Sequence, residues 1–134
     1  MPGVVLALVL PDCEVVLLEP MLRRATFLQE CVAELGLGNA RVVRARAEQM
    51  AGKLAVDVVT ARAVAPLDRL AAMAVGLLKP GGTLLAVKGA KASVEIRDAK
   101  AALDRLGLRD PEVLVVGSGK VDPAATVVRL TARR

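Results

Sequence analysis

Two hydrophobic periods alternate along the chain. Cys13 to Glu19 (CEVVLLE) is a short apolar run rich in β-branched residues and reads as a strand. From Met21 to Leu35 the apolar residues recur at Leu22, Ala25, Leu28, Val32 and Leu35. That three-to-four spacing predicts one face of a helix. Gly36 and Gly38 end it, because glycine tolerates the left-handed cap conformation. Ala40 to Arg46 (ARVVRAR) predicts a second strand, and Ala47 to Gly52 a short helical turn. Val56 to Ala63 (VDVVTARA) predicts a third strand. Pro66 then opens a helix at its first turn, with Leu67, Leu70, Ala74 and Leu77 along one side. Lys79-Pro80-Gly81-Gly82 stops that helix and turns the chain into a fourth strand, Thr83 to Lys88 (TLLAVK). Ala92, Ile96, Ala99, Leu103 and Leu106 define the next helical face, ended by Gly107. Glu112 to Val116 and Thr126 to Leu130 read as two closing strands, joined by the Gly/Pro-bearing linker Gly117 to Ala125.

Strand–helix alternation implies an α/β fold with parallel strands and helices on both faces. The closing pair, joined by only a short linker, implies antiparallel strands at one edge. Central parallel strands are buried on both sides, which accounts for the nearly continuous apolar runs VVLL, DVVT and LLAV. The pattern shows neither an internal repeat nor a domain boundary, so residues 1–134 read as one domain. Ligands of such sheets bind beyond the carboxyl ends of the strands. The residues to inspect are Glu19, Ala47 with Glu48, Arg62 and Lys88.

Composition narrows the chemistry. Of 134 residues, 54% are hydrophobic and 25% charged, which is globular rather than disordered. Phe27 is the only aromatic residue, so Leu, Val and Ala must fill the core. Histidine is absent, which removes the commonest general base and metal ligand. The sequence holds no Ser/His/Asp set, no Cys/His pair and no metal spacing. Cys13 and Cys31 form no CxxC pair and read as buried, reduced thiols, which suits a cytoplasmic protein. Val4 to Leu10, the longest apolar run, is far too short for a membrane span. The first thirteen residues superficially resemble a signal peptide. They lack its basic start and its small-residue cleavage site, so that reading is discounted.

Each candidate has a plain alternative. Glu19 can accept both hydroxyls of a ribose, or simply cap the following helix. The Ala47 N–H and the Glu48 carboxylate can meet an adenine edge, or Glu48 can serve only the helix dipole. Arg62, so close to the core-like Val58 and Val59, needs a partner or a cleft. Otherwise it lies at a solvated strand end. Lys88 can meet phosphate or snorkel at the surface. The net charge of +5, with Arg23, Arg24, Arg41, Arg44 and Arg46, suits a polyanion, although solvated faces carry the same pattern. No aromatic residues are interleaved to stack bases.

Several words of the sequence are recognisable in order: MPGVVLAL at the start, Leu17-Leu18-Glu19, Arg24 with Phe27-Leu28, Arg46-Ala47-Glu48, Thr60-Ala61-Arg62-Ala63-Val64-Ala65-Pro66-Leu67, and Lys88-Gly89. Over nearly its whole length the chain resembles the bacterial 16S ribosomal RNA guanine-N7 methyltransferase family, also called the glucose-inhibited division protein B family. TARAVAPL is the specific signature.

The resemblance implies a class I S-adenosylmethionine-dependent methyltransferase fold, Rossmann-like, with strand order 3-2-1-4-5-7-6. It implies S-adenosylmethionine as cofactor, with Ala47, Glu48 and Arg62 among its contacts and Glu19 as the acid after the second strand. Met1 aligns with the large apolar residue that follows the family's glycine-rich loop. The first strand and that loop have no counterpart here, so the chain is expected to be an N-terminally truncated methyltransferase domain. Loss of the central strand would leave two interior edges unpaired. Each orphaned buried backbone group costs about 1–3 kcal/mol, and a strand's worth rivals the ~5–15 kcal/mol stability of a domain. The implied partner is 16S ribosomal RNA or the small ribosomal subunit, with no membrane, no metal and a monomeric state. No catalytic base is implied. The alternatives are a dinucleotide-binding oxidoreductase fragment and an inactive RNA-binding remnant.

Overall fold

A computed structural model describes residues 2–62, 65–88, 91–116 and 125–133. Met1, Ala63, Val64, Gly89 and most of the linker from Gly117 lie outside them. The chain divides into two compact units, Met1–Met50 and Ala51–Arg134.

The N-terminal unit runs α1 (Pro2–Val9), β1 (Val15–Leu18), α2 (Leu22–Glu34), β2 (Ala40–Val43) and α3 (Ala47–Met50). Strands β1 and β2 pair in parallel, from Val15 opposite Ala40 to Leu18 opposite Val43. Helix α1 has no counterpart in the hydrophobic pattern. Its apolar run has no polar face, and without a period a helix is not legible. The predicted face of α2 is buried only at its middle, at Ala25 and Leu28, while Leu22 and Leu35 at its ends are exposed. Gly36, at φ 63°, closes α2. The Leu37 N–H reaches Val32 O at 3.0 Å and the Gly36 N–H reaches Ala33 O at 3.2 Å, a Schellman cap. Leu37 turns inward and is buried. The Asn39 amide donates to the carbonyls of Ala7, Leu10 and Cys13 at 3.0, 3.1 and 2.9 Å. It thereby satisfies the carbonyls at the end of α1 and in the loop beyond it.

The C-terminal unit runs β3 (Val56–Arg62), α4 (Leu67–Val75), β4 (Leu78–Lys88), α5 (Ala92–Leu106), β5 (Leu108–Val116) and β6 (Ala125–Ala132). Its sheet has the order β3-β4-β6-β5. β3 and β4 are parallel, β6 is antiparallel to β5, as the short closing linker predicts, and β6 is also antiparallel to β4. The core packs Leu67, Leu70, Ala71 and Ala74 of α4 and Ala92, Ala99 and Leu103 of α5 against Leu84, Ala86, Val128 and Leu130 of the sheet.

Three expectations are corrected. Lys79-Pro80-Gly81-Gly82 is not a turn ahead of β4 but an irregular stretch inside it. Leu78 already pairs with Val56, and the register shifts before Val58 meets Thr83. The sheet of this unit is not buried equally on both sides. Leu84 and Ala86 are buried, Leu85 and Val87 are half-buried, and Val58 is 49% exposed. The cysteines are unpaired, but Cys13 is exposed and Cys31 is only partly covered.

β5 also begins earlier than its apolar pattern suggests. Asp110, at φ 54°, and Pro111 interrupt the ladder between Arg109 and Glu112. An aspartate in the left-handed region followed by proline makes a bulge, and such residues hide a strand from a propensity reading. Within the N-terminal unit the pair β1–β2 corresponds to strands 2 and 3 of the expected series, and within the C-terminal unit the order β3-β4-β6-β5 corresponds to 4-5-7-6.

Candidate functional site

In the N-terminal unit the carboxyl ends of β1 and β2 are joined one residue past the ladder, where the Glu19 N–H donates to Val43 O at 3.1 Å. This holds Glu19 at the edge of the sheet. Its Oε2 accepts the Met21 N–H at 3.1 Å, and its Oε1 lies 3.9 Å from Arg24 Nη1. Glu19 therefore does cap the entry to α2. A carboxylate offers about four lone-pair sites, so this bond leaves acceptor capacity for a second partner. Its side chain is 16% exposed and remains accessible.

Ala47 and Glu48 open α3 beyond the end of β2, with Ala47 half-buried and Glu48 exposed. The turn is set by Gln49, whose Oε1 accepts the Arg46 N–H at 2.8 Å, the return half of a capping box. Glu19, Ala47 and Glu48 thus share the carboxyl edge of one parallel pair. Arg44 also reaches this edge, donating from Nε to Pro20 O at 3.4 Å. Arg23, Arg24, Arg44 and Arg46 are exposed there, whereas Arg41 lies near the start of β2.

In the C-terminal unit Arg62 is the last residue of β3, paired in register with Val87. Lys88 ends β4 and departs from both readings of the sequence. Its side chain is 4% exposed, and Nζ pairs with Glu95 Oε1 at 2.9 Å and donates to Ala65 O at 2.6 Å. It neither snorkels nor presents a free ammonium to phosphate. Met1, aligned with the family's apolar contact, is outside the described residues.

A cavity of about 490 Å³ opens in the N-terminal unit beside Asp12, Glu14 and Asn39. It lies at the amino ends of β1 and β2, opposite the edge that carries Glu19 and Glu48, so it is a poor match to the ligand position of such sheets. Among the described residues no group of three or more His, Cys, Asp or Glu is placed to hold a metal ion. Arg129 is held above its ordinary pKa by its hydrogen bond and charge pairing with Glu112. That exposed pair ties β6 to β5 and belongs to neither carboxyl edge.

The family described as rRNA small subunit methyltransferase G matches residues 1–122. The chain belongs to this family. Ribosomal RNA small subunit methyltransferase G of Thermobifida fusca is 55% identical over 131 residues, covering 98% of this chain and 55% of that protein. The Salinispora tropica protein of the same name is 49% identical over 141 residues, covering 100% of this chain and 58% of that protein. The chain thus spans less than two thirds of the length of these rRNA small subunit methyltransferase G relatives.

Solved structures agree on the fold. The apo S-adenosylmethionine-dependent methyltransferase SibL superposes with a TM-score of 0.74 at 18% identity, covering 98% of this chain and 47% of that one. A 16S rRNA (adenine(1408)-N(1))-methyltransferase variant from Catenulisporales acidiphilia gives 0.71 at 19% identity, covering 99% and 80%. The fold is that of the class I S-adenosylmethionine-dependent methyltransferases. No described helix is long and apolar enough to cross a membrane.

Proposed function

We propose that residues 1–134 form part of one methyltransferase domain that binds S-adenosylmethionine and transfers its methyl group to N7 of a guanine in 16S ribosomal RNA. The observation that carries this reading is the common placement of Glu19, Ala47 and Glu48 on the carboxyl edge of the β1–β2 pair, in a chain of this family. Glu19 accepts the ribose hydroxyls with the lone pairs its capping bond leaves free. The Ala47 N–H and Glu48 meet the adenine. Arg62, at the end of β3, serves the cofactor or the target pocket, and Met1 is the apolar contact.

When bound, S-adenosylmethionine supplies an activated methyl group. Guanine N7 already presents a lone pair, so no residue has to remove a proton. The chain's contribution is orientation for in-line displacement and a favourable electrostatic setting. A protein without histidine can meet that requirement. The exposed arginines around Glu19 suit an RNA backbone, and the place of action is the cytoplasm, where ribosomal RNA is found.

Calorimetric titration of the chain with S-adenosylhomocysteine and with NAD tests the cofactor reading. Binding of S-adenosylhomocysteine alone is the expected result, and binding of NAD alone would replace the methyltransferase by a dinucleotide-binding oxidoreductase. Transfer of a labelled methyl group to 16S ribosomal RNA, mapped to a guanine N7, tests the substrate.

A further inference from the structure

We propose that Lys88 is a positioning residue, whose buried ammonium, held by Glu95, fixes the backbone at Ala65 on the connection that follows Arg62. This rests on the methyltransferase reading of the edge that carries Arg62. Lysine is almost never fully buried without a partner. Here the side chain is 4% exposed and both contacts are short, 2.9 Å to Glu95 Oε1 and 2.6 Å to Ala65 O.

The three residues come from three places. Lys88 ends β4, Glu95 lies in the first turn of α5, and Ala65 directly precedes Pro66, the N-cap of α4. One ammonium therefore ties a strand end, a helix start and the backbone at Ala65 ahead of α4. Charge-assisted bonds of this kind are roughly twice as strong as neutral ones. A buried ion pair contributes little net stability compared with apolar packing, whereas losing one partner strands a charge. Its main effect is to specify geometry. Ala65 is three residues beyond Arg62 in sequence, so pinning its carbonyl fixes the entry to α4 a short distance along the chain from the end of β3. A misplacement of about 1 Å can cost about 100-fold in a site that works by orientation.

The test compares Lys88→Met, Glu95→Gln and a control, Lys91→Met, at an exposed lysine beside the same helix. Amide exchange in residues 65–70 is expected to quicken about tenfold in Lys88→Met and less in Glu95→Gln, while residues 99–106 of α5 stay protected. S-adenosylhomocysteine affinity falls about tenfold in Lys88→Met and stays within about twofold in Lys91→Met. Should Lys88→Met not fold, Glu95→Gln is read in its place. Equal loss of protection along α4 and α5, or none in 65–70, overturns the clamp. Unchanged affinity beside a loosened 65–70 overturns the positioning role. If the unsubstituted chain binds no S-adenosylhomocysteine, the cofactor reading of this edge falls and the positioning role with it, while the clamp is still judged by exchange.

Discussion

At the scale of single residues, two polar side chains carry tasks of different kinds. Glu19 joins a structural bond, to the Met21 N–H, with a proposed ligand bond. Glu19→Gln keeps an acceptor for Met21 and removes the charge. Hydrogen bonds to charged groups contribute about 1.5–3 kcal/mol, so calorimetry should show at least about a tenfold loss of S-adenosylhomocysteine affinity with an almost unchanged melting temperature. Asn39 is the converse case. It touches no proposed ligand position, yet its amide serves three carbonyls. Asn39→Ala should lower stability in denaturant by about 1–3 kcal/mol, because the carbonyls of Ala7 and Cys13 lose this donor and Leu10 O keeps only the Cys13 N–H. The sequence pointed to Glu19 by its place after a strand. It gave no sign of Asn39, because the carbonyls it serves lie 26 to 32 residues away along the chain. Lys88 shows the same limit: a lysine at a strand end reads as exposed until the fold supplies Glu95 and Ala65.

At the scale of elements, helices with one apolar face were legible and irregular strands were not. The faces of α4 and α5 follow their period, and most of their predicted positions are buried. β4 conceals a break. Gly82 sits where an added Cβ would lie 2.9 Å from Lys79 O and 3.0 Å from Asp57 O. Both are backbone atoms that cannot swing aside. Gly82→Ala should therefore destabilise the chain by about 1–3 kcal/mol, as overpacking does, and a lowered denaturation midpoint would register it. A gain in stability would mean the strand relaxes freely at that point. The glycines read as a turn because the bulge and the turn demand the same residue.

At the scale of the whole molecule, the two units differ in how much they bury. The C-terminal unit has a four-stranded sheet with two helices over one continuous apolar cluster. The N-terminal unit rests on a two-stranded sheet and fewer buried residues. Small sheets are marginal on their own. Amide exchange should therefore be slowest in β4, β6 and α5 and markedly faster in β1, β2 and α2, as measured by mass spectrometry. Equal protection in both units would contradict this. The sequence by itself determined the α/β alternation, the antiparallel closing pair, the family and the candidate positions at strand ends. All of these depend on residues near one another in the chain, where period and motif are written. Tertiary structure alone decided which sheet face is covered, that the Lys79–Gly82 stretch lies inside β4, and that Lys88 is clamped rather than free. Those outcomes depend on groups far apart in sequence, and burial and pairing exist only once the chain has brought them together.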